Sequence, residues 1–359
     1  MSKKVNGLPT EAYLPVKEDK CWNIAPLGYS LNNKGKKKIL GWYLNDQNRD
    51  EQGRYIETIP STSILITGKT GSGKTVLEQA IIDHINRFPD NFQLVGADLK
   101  LIDFHPIEDK FTAVLYDAIS CANFAQTLQG IMMSRFKLME EYQVNNIYKV
   151  GNQQVEVNYY KTPTGTYQFD TLVKIFVDLD ESDSRYARYK KVYKDGKMPV
   201  VTTIEEVYKA LEKGSYETVE LDGKTLTKKD IKKTKGIYVS KAIVFMVDEM
   251  TEAMCNDDYK SVDTIKTAIG SIARLGRAAG VHLVLCCQRP SGSVISTDLK
   301  NNIQMSVLLG RFDEEISMLT FEKDISGHCT GVIGRGFVSS GNEIFETQIF
   351  GGVKKGFFD

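Results

Sequence analysis

Residues 62–88 read TSILITGKTGSGKTVLEQAIIDHINRF. A short buried-strand pattern (62–68) runs into a glycine-rich turn, and an amphipathic helical pattern begins at Lys74. The turn, GKTGSGKT, fits G-x-x-x-x-G-K-[ST] in the strand–turn–helix setting that this motif requires. Gly68, Lys69, Thr70, Gly71, Ser72, Gly73, Lys74 and Thr75 are therefore expected to wrap a phosphate chain with backbone N–H groups. The helix N-terminus adds a partial positive charge. Lys74 is expected to reach the β- and γ-phosphates and Thr75 to ligate Mg²⁺, so the implied cofactors are ATP and Mg²⁺.

Working outward, the motif sits in a regime of alternating strands and helices. FQLVGAD (92–98) reads as a strand and ANFAQTLQGIMMSRFKLMEEY (122–142) as a long helix. KAIVFMVDEM (241–250), VHLVLCCQ (281–288) and MSVLLGRF (305–312) read as further strands. VDTIKTAIGSIARLGRAAG (262–280) reads as a helix closed by Gly280. This alternation predicts an α/β fold with a mostly parallel sheet and helices on both faces.

Two regions depart from that regime. Residues 1–60 read as a small N-terminal β-rich region, with LNNKG as a tight turn before the strand KKKILGWYLN. Residues 151–240 contain two Asp-Gly turn signals, KVYKDGKM and ELDGKT, and one helix, TIEEVYKALEKG (203–214). They are expected to form an inserted α+β module that divides the core into 61–150 and 241–359, since a structureless loop of that length does not suit a compact domain.

A phosphate loop needs a carboxylate at the end of a neighbouring strand, and two stretches compete. LVKIFVDLDES (172–182) offers Asp178, Asp180 and Glu181, but Lys174 marks it as half-exposed. AIVFMVDEM (242–250) delivers Asp248 and Glu249 from an unbroken apolar run and is preferred. Asp248 is expected in the Mg²⁺ shell, and Glu249 as the group that activates water. If VHLVLCCQ lies beside this strand, Gln288 ends it where nucleotide binds and would contact the γ-phosphate or the attacking water. Arg274 and Arg277 sit three apart at the end of the preceding helix pattern. They suit a helix C-terminus through the macrodipole, but for Arg277 the preferred reading is an arginine finger reaching a neighbouring subunit in a ring.

Composition narrows the class. Hydrophobic residues make up 42% and charged residues 26%, as in ordinary globular chains. Lys plus Arg and Asp plus Glu are both 46, so any nucleic-acid surface must be a local patch. The six cysteines form no C-x-x-C pair, which argues against zinc and for reduced thiols. No run of eighteen apolar residues occurs, so neither a membrane span nor direct membrane insertion is expected, and a cytoplasmic location is (host cytoplasm if viral).

Together, GKTGSGKT, VFMVDE, IARLGRAAGVHLVLCCQRPS and VISTDLKNNI resemble the FtsK/SpoIIIE DNA-translocase motor of the HerA–FtsK class. ADLK (97–100) and SRFKLMEEYQVNNI (134–147) fall at two more of the family's motifs. The resemblance implies a RecA-like P-loop NTPase that forms a hexameric or pentameric homo-oligomeric ring and moves double-stranded DNA through its channel. By matched position it assigns Lys74 and Thr75 to nucleotide and Mg²⁺, Asp248 and Glu249 to the acidic strand end, Gln288 to the sensor place and Arg277 to the finger acting in trans. SGSVISTDLKNN (291–302) falls at the family's pore-facing loop, where Lys300 is the one basic residue and is expected to contact DNA phosphate. The family's anchored members carry membrane helices before the motor and a winged-helix DNA reader after it. Neither pattern occurs here, so the expectation is a stand-alone motor.

Such a motor suits viral genome packaging or mobile-element DNA transfer, with a portal or coupling complex as docking partner. The alternatives are a chromosome-segregation or DNA-end-processing motor, and a partner-switching P-loop ATPase that does not move DNA. A small-molecule kinase would leave the QRP block unexplained.

Overall fold

The computed structural model describes residues 4–6, 8–9, 24–31, 37–44, 58–60, 63–193, 196–340 and 343–351. The LNNKG turn, the Asp195-Gly196 turn, Cys21 and the closing GVKKGFFD fall wholly or partly outside the described residues.

Six strands form the parallel heart of an eleven-stranded sheet. In spatial order they are Met305–Leu309, Ser63–Gly68, Val281–Cys287, Ala242–Val247, Phe92–Ala97 and Ala113–Leu115, each parallel to its neighbour. Beyond Met305–Leu309 the sheet turns antiparallel through Arg335–Ser340, Glu343–Ile349, Ile24–Leu31 and Lys37–Tyr43. Thr58–Pro60 closes that edge, parallel to Lys37–Tyr43. Ile24–Leu31, Lys37–Tyr43 and Thr58–Pro60 thus extend the main sheet as one wing of it, paired with the far end of the chain, while Lys4–Val5 and Leu8–Pro9 pair separately with each other. This is an α/β fold built on a large mixed sheet.

The central strands are continuous apolar runs because both of their faces are covered. Alternate side chains feed two cores. Leu65, Phe245, Leu283 and Val95 face the long helix Ala118–Glu141 and the helix Tyr259–Leu275. Ile64, Ile66, Val244, Met246, Val284 and Cys286 face the other way, toward Leu77, Ile81 and Ile85 of the helix Lys74–Arg87. Adjacent Cys286 and Cys287 accordingly lie in opposite cores, both as free thiols. Asp117 caps the long helix through the Ser120 N–H at 2.7 Å, and Asp258 caps the other through Ser261.

The helix expected over 262–280 is shorter at its end. It stops at Leu275, with Gly276 at the C-cap, and residues 276–280 form a turn into the next strand. A Cβ on Gly276 would lie 2.4 Å from the Val281 carbonyl oxygen, so the close approach of turn and strand requires glycine there.

Residues 151–240 fold as two small sheets, Thr166–Gln168/Glu156–Lys161/Lys232–Ile237 and Lys197–Thr203/Leu172–Asp178/Val219–Leu221/Lys224–Leu226. Ile204, Val207 and Leu211 of the helix Ile204–Lys213 pack on the second, in a core of their own with Val173, Ile175 and Leu221. A capping box of Thr203 and Glu206 starts this helix and left-handed Gly214 ends it. The module docks on the main sheet through Gln93, whose side-chain amide both donates to the Leu172 carbonyl and accepts from the Leu172 N–H, each at 3.0 Å. Among the described residues no helix is long and apolar enough to cross a membrane.

Candidate functional site

All six parallel strands end at one edge of the sheet, and there they deliver the chemistry. The Ser63–Gly68 strand ends in the phosphate loop, the Ala242–Val247 strand in Asp248 and Glu249, and the Val281–Cys287 strand in Gln288. A cavity of about 440 Å³ opens between them, lined by Lys69, Thr70, Gly71, Gly73, Lys74, Thr75 and Gln288 among others. Gly68 and Ser72 do not line the cavity; Ser72 is buried, and a Cβ on Gly68 would lie 2.4 Å from the Ser72 hydroxyl oxygen. The loop closes through the Ser72 N–H donating to the Lys69 carbonyl at 3.0 Å. Gly73 sits at φ +105°, the left-handed conformation that turns the loop into the helix.

Lys74 begins that helix, and its ammonium donates to the Asp248 carbonyl oxygen at 2.9 Å. It also lies 3.5 Å from Asp248 Oδ1 and 3.6 Å from Glu78 Oε1. Burial works against this charge, but the surrounding carboxylates outweigh it and hold the Lys74 pKa above its ordinary value. Cys286 contributes no opposing charge, because burial pushes its thiol far up and keeps it protonated. Glu78 is 1% exposed, and neither of its side-chain oxygens accepts a hydrogen bond. Burial raises its pKa. Burial and the neighbouring Glu78 push the Asp248 carboxyl up to about 7.

Glu249 is held from two sides. Lys100 Nζ lies 3.4 Å from its Oε2, and the Thr251 hydroxyl donates to its Oε1 at 2.9 Å. Lys100 and Asp103 reach the cavity on the loop after the Phe92–Ala97 strand. That loop is shaped by buried Asp98, whose Oδ2 accepts the N–H groups of Phe104 (2.9 Å) and His105 (3.3 Å).

The edge therefore gathers Lys74 and Lys100 with Glu78, Asp248 and Glu249, and a divalent cation there would favour the charged form of the Asp248 carboxylate. Asp248 Oδ1 is buried without a hydrogen-bond partner, and Thr75 is exposed at the cavity wall. A carboxylate and a hydroxyl of this kind fit a hard cation that takes oxygen ligands.

Other expected residues lie elsewhere. Arg277 is half-buried in the turn before the Val281–Cys287 strand, at the end opposite Gln288. Seven strand residues, roughly 20 Å, separate it from the cavity edge. Lys300 is half-buried on the short helix Thr297–Asn302, away from the cavity lining. Asp178, Asp180 and Glu181 lie at the exposed end of a strand of the inserted module, and none lines the cavity. Arg289 turns from the cavity and pairs with Glu315, while Lys69 pairs with Asp313 at 3.6 Å.

Sequence reasoning passed over Glu78, Lys100, Asp103 and Ile333. For Glu78 the available signal was its spacing, one helical turn after Lys74 and on the apolar face of its helix. Lys100 lay within the ADLK stretch.

A family model described as the FtsK/SpoIIIE family matches residues 48–292. The DNA translocase FtsK of Clostridium tetani is 41% identical over 75 residues, 20% of this chain and 9% of that protein. The DNA translocase FtsK of Pseudomonas syringae pv. tomato is 27% identical over 247 residues, 67% of this chain and 23% of that protein. The chain thus spans less than a quarter of the length of either relative. Among solved structures, the pCW3 conjugation coupling protein TcpA bound to ATPγS superposes with a TM-score of 0.59 at 18% identity, covering 96% of this chain and 70% of that one. ATPases 2 and 3 of EssC from Geobacillus thermodenitrificans give 0.55 at 13% identity, covering 96% and 47%. These likenesses place the fold among P-loop ATPases.

Proposed function

Because this chain belongs to the FtsK/SpoIIIE family, we propose that it is an ATP-driven double-stranded DNA translocase working as a homo-oligomeric ring. ATP hydrolysis comes with that membership; its coupling to DNA movement is the proposal. The observation that carries it is the convergence of Lys74, Thr75, Asp248, Glu249 and Gln288 on one sheet edge, in a family that includes DNA translocases by name.

In this reading the backbone N–H groups of the loop cradle the phosphates, and Lys74 leaves the Asp248 carbonyl to meet them. Thr75 and Asp248 would hold Mg²⁺, which supplies positive charge to the phosphoryl oxygens. Glu249, oriented by Lys100 and Thr251, accepts a proton from the attacking water. Gln288 hydrogen-bonds the water or the terminal phosphate. Arg277, at the far end of its strand, serves only a neighbouring subunit, which makes turnover depend on the ring. Lys300 serves as a phosphate contact to DNA. Viral genome packaging and mobile-element DNA transfer, in the cytoplasm and with a docking complex, are the jobs we favour.

The test is the ATPase rate without DNA, with single-stranded DNA and with long duplex, over a range of salt, with Lys74→Ala as the blank. The expected result is stimulation by long duplex that fades as salt rises. Turnover indifferent to every DNA would replace this reading by a partner-switching ATPase. The 151–240 module, which exposes Ile237 (45%) and Val239 (52%), would then be the partner surface to probe.

A further inference from the structure

The cavity has an apolar end that the phosphate chemistry does not use. Ile333 lines it while 72% exposed, and Val76, 41% exposed, lines it from the first turn of the helix that Lys74 begins. The polar and charged lining groups Lys100, Asp103, Asp248 and Gln288 follow the Phe92–Ala97, Ala242–Val247 and Val281–Cys287 strands. Ile333 comes from the other side, on the loop that enters the Arg335–Ser340 strand.

That loop is fastened to the phosphate loop. The Gly334 N–H donates to the Ser72 carbonyl at 3.0 Å, and a Cβ on Gly73 would stand 3.0 Å from Gly334 Cα. The Ile349 N–H donates to the Gly334 carbonyl at 2.9 Å, and the Gln348 side chain donates to the Ile333 carbonyl at 3.1 Å. Next along, buried Arg335 donates to Gln348 Oε1 (3.0 Å), Glu346 Oε1 (2.7 Å) and the Pro9 carbonyl (2.9 Å). The backbone of Ile333 is thus fixed on both sides while its side chain is left open at the cavity mouth. A large aliphatic side chain held rigidly in water beside a phosphate site is a surface prepared for an apolar partner.

We propose that Ile333, together with Val76, is the nucleobase subsite of this cavity, packing against the flat face of the base whose phosphates the loop takes. The inference rests on the nucleotide reading above. Neither side chain offers a hydrogen bond, so the contact recognises an aromatic face.

The test is calorimetric titration of the full chain and its Ile333→Ala and Ile333→Asp variants with Mg-ATP and with Mg-tripolyphosphate, which lacks base and sugar. The expected result for Ile333→Ala is about tenfold weaker ATP binding, with tripolyphosphate binding unchanged. Ile333→Asp should weaken ATP further. Because Ile333 is exposed, ligand-free melting should not move. ATP affinity unchanged in both variants, or an equal loss for both ligands, overturns the subsite. Lys74→Ala should lose both ligands. If the wild-type chain binds neither ligand, the nucleotide reading itself fails and the subsite falls with it.

Discussion

Two clusters of buried charge occupy this chain, and they are completed to different degrees. Under the phosphate loop, Lys74 stands 3.5–3.6 Å from Asp248 and Glu78, and three of their four carboxylate oxygens accept no hydrogen bond. At the base of the inserted module, Arg135 Nε donates to Asp170 Oδ2 at 2.8 Å, and the Tyr238 hydroxyl donates to the same oxygen at 3.0 Å. Gln168 Nε2 donates to Asp170 Oδ1 at 2.9 Å, and Arg135 Nη1 donates to the Ala279 carbonyl at 2.8 Å. Both clusters lie largely out of water, the second more completely than the first, so the charges in each carry a desolvation cost. The second meets those costs within the chain and ties the long helix, the module and the Arg277 turn together. The first leaves them open, which suits a site that completes its shell with a ligand.

The sharpest way to break this contrast is to remove the groups of each cluster in turn. Lys74→Ala should abolish measurable ATP turnover. Glu249→Gln should cut turnover about 10²–10⁴-fold while ATP still binds, read by parallel rate and binding measurements. An unaltered rate would remove Glu249 from the chemistry. Arg135→Met leaves Asp170 buried without its cation and should cost about 3–5 kcal/mol in urea denaturation. A loss no larger than that of an exposed substitution would mean that the second cluster is not an anchor.

The smallest effect is expected from Glu78→Gln. Burial raises the Glu78 pKa, so the folded state holds a proton there that the unfolded chain releases sooner. Stability from such a group is full at low pH and is lost as pH rises through the folded pKa. Asp248 adds to the same trend between its ordinary 3.8 and about 7. Ligand-free stability should therefore fall from pH 4 to pH 7. Glu78→Gln should raise stability at pH 8 and leave it unchanged at pH 4, read by urea denaturation at the two pH values. A loss at pH 8 would show that Glu78 is chiefly a partner of Lys74.

Much of the site was legible because its parts are contiguous. GKTGSGKT carries its own glycines, its own cation and its own helix start, and VFMVDE carries both the buried strand and the acids at its end. Glu78 was not legible, because a glutamate in a helix pattern reads as solvated until the opposing sheet buries it. Ile333 reads as an ordinary loop residue, and tertiary hydrogen bonds from Gly334 to Ser72 and from Gln348 to the Ile333 carbonyl hold it at the cavity. The end of the 262–280 helix was misread because Gly276, tolerable within a helix, is here compelled by the approach of Val281.

The sequence by itself determined the alternation of strands and helices, the phosphate loop and the acidic strand end, since each follows from local pattern over a few residues. The tertiary structure decided the rest: that strands near residues 24–43 and 335–349 widen the core sheet, that Arg277 and Gln288 stand at opposite ends of one strand, and which acids share the space around Lys74. Those outcomes depend on contacts between residues as much as three hundred positions apart. Such contacts acquire their free energy only when the strands have paired and water has left the space between them.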